Sequence, residues 1–260
     1  MDKFPINQMF KAQKELMVLY QQIEGLPDFP IDLHTKAGQK VIRDFTHRLT
    51  EELAEAHESL LTCFLLASAN QPEECANTLK QHNLEIADAM HFLLELIIFA
   101  GYDEQMDRVF RALDNHSIAN LIKEGNPLKT MLDIGAYMNF SEGLNNRGVG
   151  NYNIVPETTY EDIDTFNMGN KRVSADIIET EAKMLWYVAC NLHLITNELK
   201  SKEWTQGDKT LNLVRFERAM GEMLIAFGQY LDYGQFTQIG LRHYYLMKNV
   251  INRDRIKSGY

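Results

Sequence analysis

Cysteine is scarce in this sequence. Cys63, Cys75 and Cys190 are the only three, and no two form a C-x-x-C pair. Such a sparse, odd set carries no structural zinc motif and suits a reducing, cytoplasmic setting. Basic residues are outnumbered, with 26 Lys and Arg against 36 Asp and Glu, for a net charge of −10. That balance argues against general affinity for nucleic acid or an anionic membrane. It leaves room for a phosphorylated small molecule, because a bound cation can reverse the local field. No apolar run is long enough to span a bilayer, since "FLLELIIFAGY" is broken by Glu95. The opening "MDKFPINQMF" lacks a basic stretch followed by an apolar one, so no secretory signal is expected. Also missing are a P-loop, a G-x-G-x-x-G turn, a G-x-S-x-G elbow, a repeat of fixed period and any sustained strand-type alternation.

Helical periodicity is what remains. Hydrophobic residues make up 45% of the chain, enough for a sizeable core. The spacing predicts helices over residues 6–24, 39–69 and 73–100, with the proline-containing break "GLPDFPIDLHTKAG" (25–38) after the first. Pro72 sits where a helix tolerates proline and Gly101 where a helix ends. Shorter helices are expected over 103–140, and further helices over about 174–202, 208–232 and 236–254. Residues 141–172 have no sustained period and read as an irregular insertion. The expected architecture is one all-α domain spanning 1–260.

The stretch "LEIADAMHFLLELI" (84–97) is apolar enough for a core helix, yet Glu85, Asp88, His91 and Glu95 interrupt it along one flank. Buried charge is costly unless it is paired or bound to metal. One helix earlier, Glu52 and Glu55 lie three apart and share a face beside Leu49, Leu53 and Ala56. Antiparallel packing of the two helices would let four carboxylates converge. Hard divalent cations relieve such repulsion, and oxygen-only ligands select Mg²⁺ or Mn²⁺ over zinc. The plainer reading is a solvated acidic face, above all for E-x-x-E. Asp44-x-x-His47 with Asp88-x-x-His91 also imitates the carboxylate and histidine pairs of di-iron bundles.

The C-terminal "YYLMKNVINRDRIKSGY" gathers Lys248, Asn249, Asn252, Arg253 and Arg255 at the end of an acidic chain. Such donors suit phosphate oxygens, although a basic last turn also compensates a helix dipole. Being terminal, this cluster is expected to carry few core contacts. Taken together, E-x-x-E (Glu52, Glu55), E-x-x-D-x-x-H-F (Glu85, Asp88, His91, Phe92) and the tail (Lys248, Asn249, Asn252, Arg255, Gly259, Tyr260) resemble the dimeric all-α dUTPases of the MazG-like nucleotide pyrophosphohydrolase superfamily. The match covers residues 1–100 and 240–260. It departs at Ile256, where that family's tail has Gln, and at Met17, where the pattern L-Q-x-x-L-N has Asn.

The resemblance implies a helical bundle that hydrolyses dUTP to dUMP and pyrophosphate. Glu52, Glu55, Glu85 and Asp88 would hold Mg²⁺, with Mn²⁺ an alternative, and Glu52 would orient the attacking water. Lys248, Asn249, Asn252, Arg255 and Tyr260 would grip phosphate; Gln13, Phe64 and His91 would face base and sugar. It also implies a homodimer acting on a small-molecule nucleotide. A relative accepting dCTP as well as dUTP, or another nucleotide, is one alternative, favoured by Met17 and Ile256. An acidic helical interaction protein without activity is another.

Overall fold

A computed structural model describes residues 6–104, 175–234, 236 and 238–259. The expected insertion at 141–172, nearly all of the expected short helices over 103–140, and Tyr260 lie outside these residues. The regular elements among the described residues are all α-helices: α1 (Ile6–Glu24), α2 (Lys36–Ser68), α3 (Pro72–Phe99), α4 (Ala175–Glu198), α5 (Leu213–Tyr233) and α6 (Gln238–Lys257). The boundaries fall within a few residues of those expected from periodicity, and local chemistry accounts for them.

Thr35 caps α2, its hydroxyl accepting from the Gly38 N–H at 3.0 Å and donating to the Asp32 carbonyl at 2.8 Å. Gly38 has no alternative here, because a Cβ would collide with that Asp32 carbonyl oxygen. The α2–α3 turn is three residues long. It closes through Asn70 at φ 58° and the Gln71 N–H bond to the Leu66 carbonyl. Pro72 opens α3, where its missing N–H costs nothing. Gly101, at φ 78°, ends it by donating to Ile98 while Tyr102 donates to Ile97. The loop before α2 is strapped to this end by the Ile31 N–H bond to the Phe99 carbonyl.

So short a turn makes α2 and α3 antiparallel, and this hairpin is the centre of the fold. From Glu85 to Phe99 only Asp88 and Phe92 escape full burial. A helix buried nearly all round must be covered on several sides. α2 takes one side of α3, and α1 and α6 cover another; α4 packs on α2, and α5 on α4. Side chains such as Phe99, Leu60, Phe216 and Phe227 are sealed in the core, each contributing roughly 1.5–3 kcal/mol.

The hairpin register also pairs Cys63 with Cys75 as a disulfide, with Cα atoms 4.6 Å apart. Their 12-residue spacing carries no recognised motif, and the pair departs from the reducing setting expected from so sparse a set of cysteines. Cys190 is free and exposed. No described helix is long and apolar enough to cross a membrane.

Candidate functional site

The antiparallel hairpin brings Glu52 of α2 against Glu85 and Asp88 of α3. Each offers a carboxylate oxygen, and these oxygens lie within 4.8 Å of one another. Crowding shows in their proton affinities. Burial, then Asp88, Glu55 and Glu85, push Glu52 up to about 7. Burial also raises Glu85, against the hydrogen bond from Gln81, and raises Asp88 despite the ion pair with Lys248. Glu55 is exposed and outside this three-carboxylate group, although its charge acts on both glutamates. A closely spaced all-oxygen donor set, only partly neutralised by one lysine, fits a hard divalent cation.

A pocket of about 220 Å³ opens beside this group, where α1, α2, α3 and α6 meet. Glu52, Asp88, Asn252 and Arg255 form one part of its wall. Phe45 and Phe92 form an aromatic part, with the Arg48 guanidinium 5.2 Å from the Phe45 ring centre and 6.0 Å from that of Phe92. Gln13, Leu16, His91 and Glu95 also line it. The pocket thus joins an acidic and cationic mouth to an aromatic interior with polar side chains, a combination suited to a ligand with both an anionic and a planar part.

The polar groups of the interior form one buried network. The Gln13 amide lies 2.8 Å from Glu95 Oε1, 2.7 Å from His91 Nδ1 and 2.8 Å from the Tyr245 hydroxyl. His91 stacks on the Tyr245 ring at 4.2 Å, and its Nε2 lies 3.2 Å from the Tyr245 carbonyl oxygen. Burial lowers His91 to about 3 and raises Glu95 to about 8, so both side chains are neutral at pH 7.

The residues singled out in the sequence therefore divide. Glu52, Asp88, Gln13, His91, Asn252 and Arg255 meet at the pocket, with Glu85 and Lys248 joined to its acidic group. Phe64 does not line it and packs against the core from α2. Asn249 is buried and turned toward α1, accepting from Arg253 Nε at 2.8 Å and facing the Ala12 carbonyl. The expectation of few core contacts in the terminal cluster is corrected for the same reason: Asn249 is buried, and Arg253 reaches Glu15 of α1 at 3.0 Å. The di-iron pattern does not assemble, because His47 is exposed beside Glu51 and both His91 nitrogens have partners.

Among the pocket residues given no site role from sequence are Phe45, Arg48, Phe92 and Glu95. Their signal was present in helical spacing. Phe45, Arg48 and Glu52 share one face of α2, and Glu95 lies two turns beyond Asp88 on α3. No protein-family model, no curated protein and no solved structure matches this chain.

Proposed function

We propose that this protein is a divalent-metal-dependent nucleoside triphosphate pyrophosphohydrolase of the MazG-like all-α type, acting on dUTP to give dUMP and pyrophosphate. The observation that carries this reading is the convergence of Glu52, Glu85 and Asp88 at the mouth of a pocket that also holds Arg255 and Asn252. Acidic clusters are common on surfaces. One set into a pocket wall beside an arginine, with all three proton affinities raised, is better explained by a ligand that brings its own positive charge.

In this reading Glu52, Glu85 and Asp88 hold Mg²⁺, with Glu55 close enough to add charge from one turn away. The metal would screen the triphosphate and lower the pKa of a bound water. Glu52, which like Asp88 belongs to both the acidic group and the pocket wall, would orient the attacking water. Arg255 and Asn252 bind phosphate oxygens from α6, the arginine as a planar fork of donors. Lys248, ion-paired with Asp88, would be the ammonium placed to meet a phosphate oxygen when a cation is held by that carboxylate. Phe45 and Phe92, in place of Phe64, supply an aromatic wall for the base. Homodimerisation belongs to the same proposal.

A screen of pyrophosphate release across the deoxynucleoside triphosphates in Mg²⁺, run on wild type and Asp88→Asn, tests this. dUTP should turn over fastest, with dCTP next, and the variant should be inactive. Equal activity in the variant, or turnover of no nucleotide, refutes the proposal.

A further inference from the structure

We infer that Glu95 is a specificity-determining residue: it presents a carbonyl-type acceptor to a ring N–H of the base, such as N3–H of uracil. The inference rests on the nucleotide reading above and deepens it.

The argument starts at His91. Its Nε2 lies 3.2 Å from the Tyr245 carbonyl oxygen, which only accepts, so Nε2 carries the hydrogen. A neutral imidazole has a single N–H, and Nδ1 is therefore an acceptor. The group facing Nδ1 at 2.7 Å is the Gln13 amide, and it must offer its NH₂ there. An amide turned by 180° keeps all its distances, because its N and O are nearly the same size. In that orientation the second N–H meets the Tyr245 hydroxyl, which donates onward to the Met9 carbonyl at 3.0 Å. The Gln13 carbonyl oxygen then faces Glu95 Oε1 at 2.8 Å.

Two oxygens at that separation require a hydrogen between them, and only Glu95 can supply it. Its surroundings agree. The side chain is buried, and desolvation together with nearby Glu24 outweighs the pull of Arg48 and holds its pKa at about 8. Glu95 is thus a carboxylic acid at neutral pH that donates to Gln13. Its other oxygen, Oε2, makes no hydrogen bond among the described residues, and Glu95 lines the pocket. The pocket-facing edge of this acid is an acceptor only.

Place in the fold supports the same role. Glu95 lies seven residues beyond Asp88 on α3, two turns or roughly 10 Å from the acidic group. That is comparable to the reach from the first phosphate of a nucleotide to the polar edge of a pyrimidine. Phe45 and Phe92 line the same pocket. Met17 is sealed in the core and offers the pocket nothing.

The test pairs a change in the protein with a change in the ligand. Binding of α,β-imido-dUTP and of its N3-methyl derivative, neither readily cleaved, is measured by calorimetry in Mg²⁺ for wild type, Glu95→Gln and Glu95→Leu. Wild type should prefer the unmethylated ligand by roughly 10- to 100-fold, the range for leaving one buried polar group unpaired. Glu95→Gln should keep that preference, since its amide donates to Gln13 and presents a carbonyl to the pocket. Glu95→Leu should bind both ligands alike. Equal binding of the two ligands by wild type, loss of the preference in Glu95→Gln, or an unchanged preference in Glu95→Leu overturns the inference and leaves the nucleotide reading standing. Failure of wild type to bind either ligand at millimolar concentration overturns both. Should the leucine variant not fold, wild type and Glu95→Gln still decide.

Discussion

The Lys248 ammonium is ion-paired with the Asp88 carboxylate, and this contact joins α6 to the acidic group on the α2–α3 hairpin. The same lysine lowers the proton affinities of Glu52 and Glu85. One cation therefore serves three carboxylates, and Arg255 adds to its effect on Asp88.

Removing that cation should destabilise the metal-free protein. Lys248→Met leaves Asp88 in a crowded acidic site without its partner, at a cost of roughly 1–3 kcal/mol. Urea melts in EDTA measure the loss, and Mg²⁺ should restore most of it by supplying positive charge. A variant as stable as wild type in EDTA would show that the pair carries no stability.

Metal should stabilise wild type and leave the carboxylate variants unmoved. At a free metal concentration 100-fold above Kd the gain is about 2.7 kcal/mol, or roughly 5–10 °C in Tm for a chain of this size. Glu85→Gln and Asp88→Asn should show little of this shift, keep helical circular dichroism, and lose activity by more than about 100-fold. Thermal melts with and without Mg²⁺ decide it. An identical Mg²⁺ shift in both variants would falsify the metal assignment.

The metal-free protein should be most stable on the acid side of neutrality. Glu52 at about 7 and Glu95 at about 8 both lie above their ordinary value of 4.5, so the folded state binds more protons than the unfolded one between those values. Stability then falls as pH rises from about 4.5 to about 8. His91, lowered from 6.5 to about 3, acts in the opposite direction, its own contribution being lost as pH drops from about 6.5 toward 3. A maximum at about pH 4.5 follows, because above it two raised carboxyl groups outweigh one lowered imidazole. The Mg²⁺ shift should grow with pH, because ligand carboxylates must be ionised. Glu52→Gln and Glu95→Gln should each flatten the alkaline limb of the stability profile. A limb of unchanged slope in both would contradict the assignment.

The last turns of α6 should separate binding from folding where the whole tail does not. Arg255 is exposed at the pocket wall, so Arg255→Ala should weaken triphosphate binding by about 10-fold, near 1.4 kcal/mol, with Tm unchanged. Deletion from residue 248 onward removes the buried Asn249 and the Arg253 tie to Glu15, and should lower Tm as well. Calorimetry and melts on the two variants provide the comparison. Full affinity in Arg255→Ala would remove this arginine from the proposed site.

Gly38→Ala should destabilise the fold with no direct effect on the pocket. The new Cβ meets the backbone carbonyl of Asp32, which Thr35 also uses, so the loop before α2 must shift. Overpacking of this kind costs about 1–3 kcal/mol. A urea midpoint equal to that of wild type would show that the loop yields freely.

The helices and the acidic pairs were legible in the sequence for physical reasons. Apolar residues at steps of three and four, together with Pro72 and Gly101, set α2 and α3 to within a few residues, because periodicity and termination are local properties. Glu85 and Asp88 stood out because carboxylates are rare in an apolar helix. Which carboxylates converge was not local. The short turn at 69–71 sets the hairpin register that places Glu52 in the group, leaves Glu55 exposed, and brings Cys63 to Cys75. The aromatic wall depended on tertiary packing in the same way. Phe45, Phe64 and Phe92 are alike as residues, and only the approach of α1 and α6 to the hairpin decides that the first and last face the pocket while Phe64 packs against the core. The role of Glu95 lay furthest from the sequence. A glutamate in an apolar run is an anomaly by itself, and its raised proton affinity comes first from burial, which the packing of α1 and α6 against α3 completes.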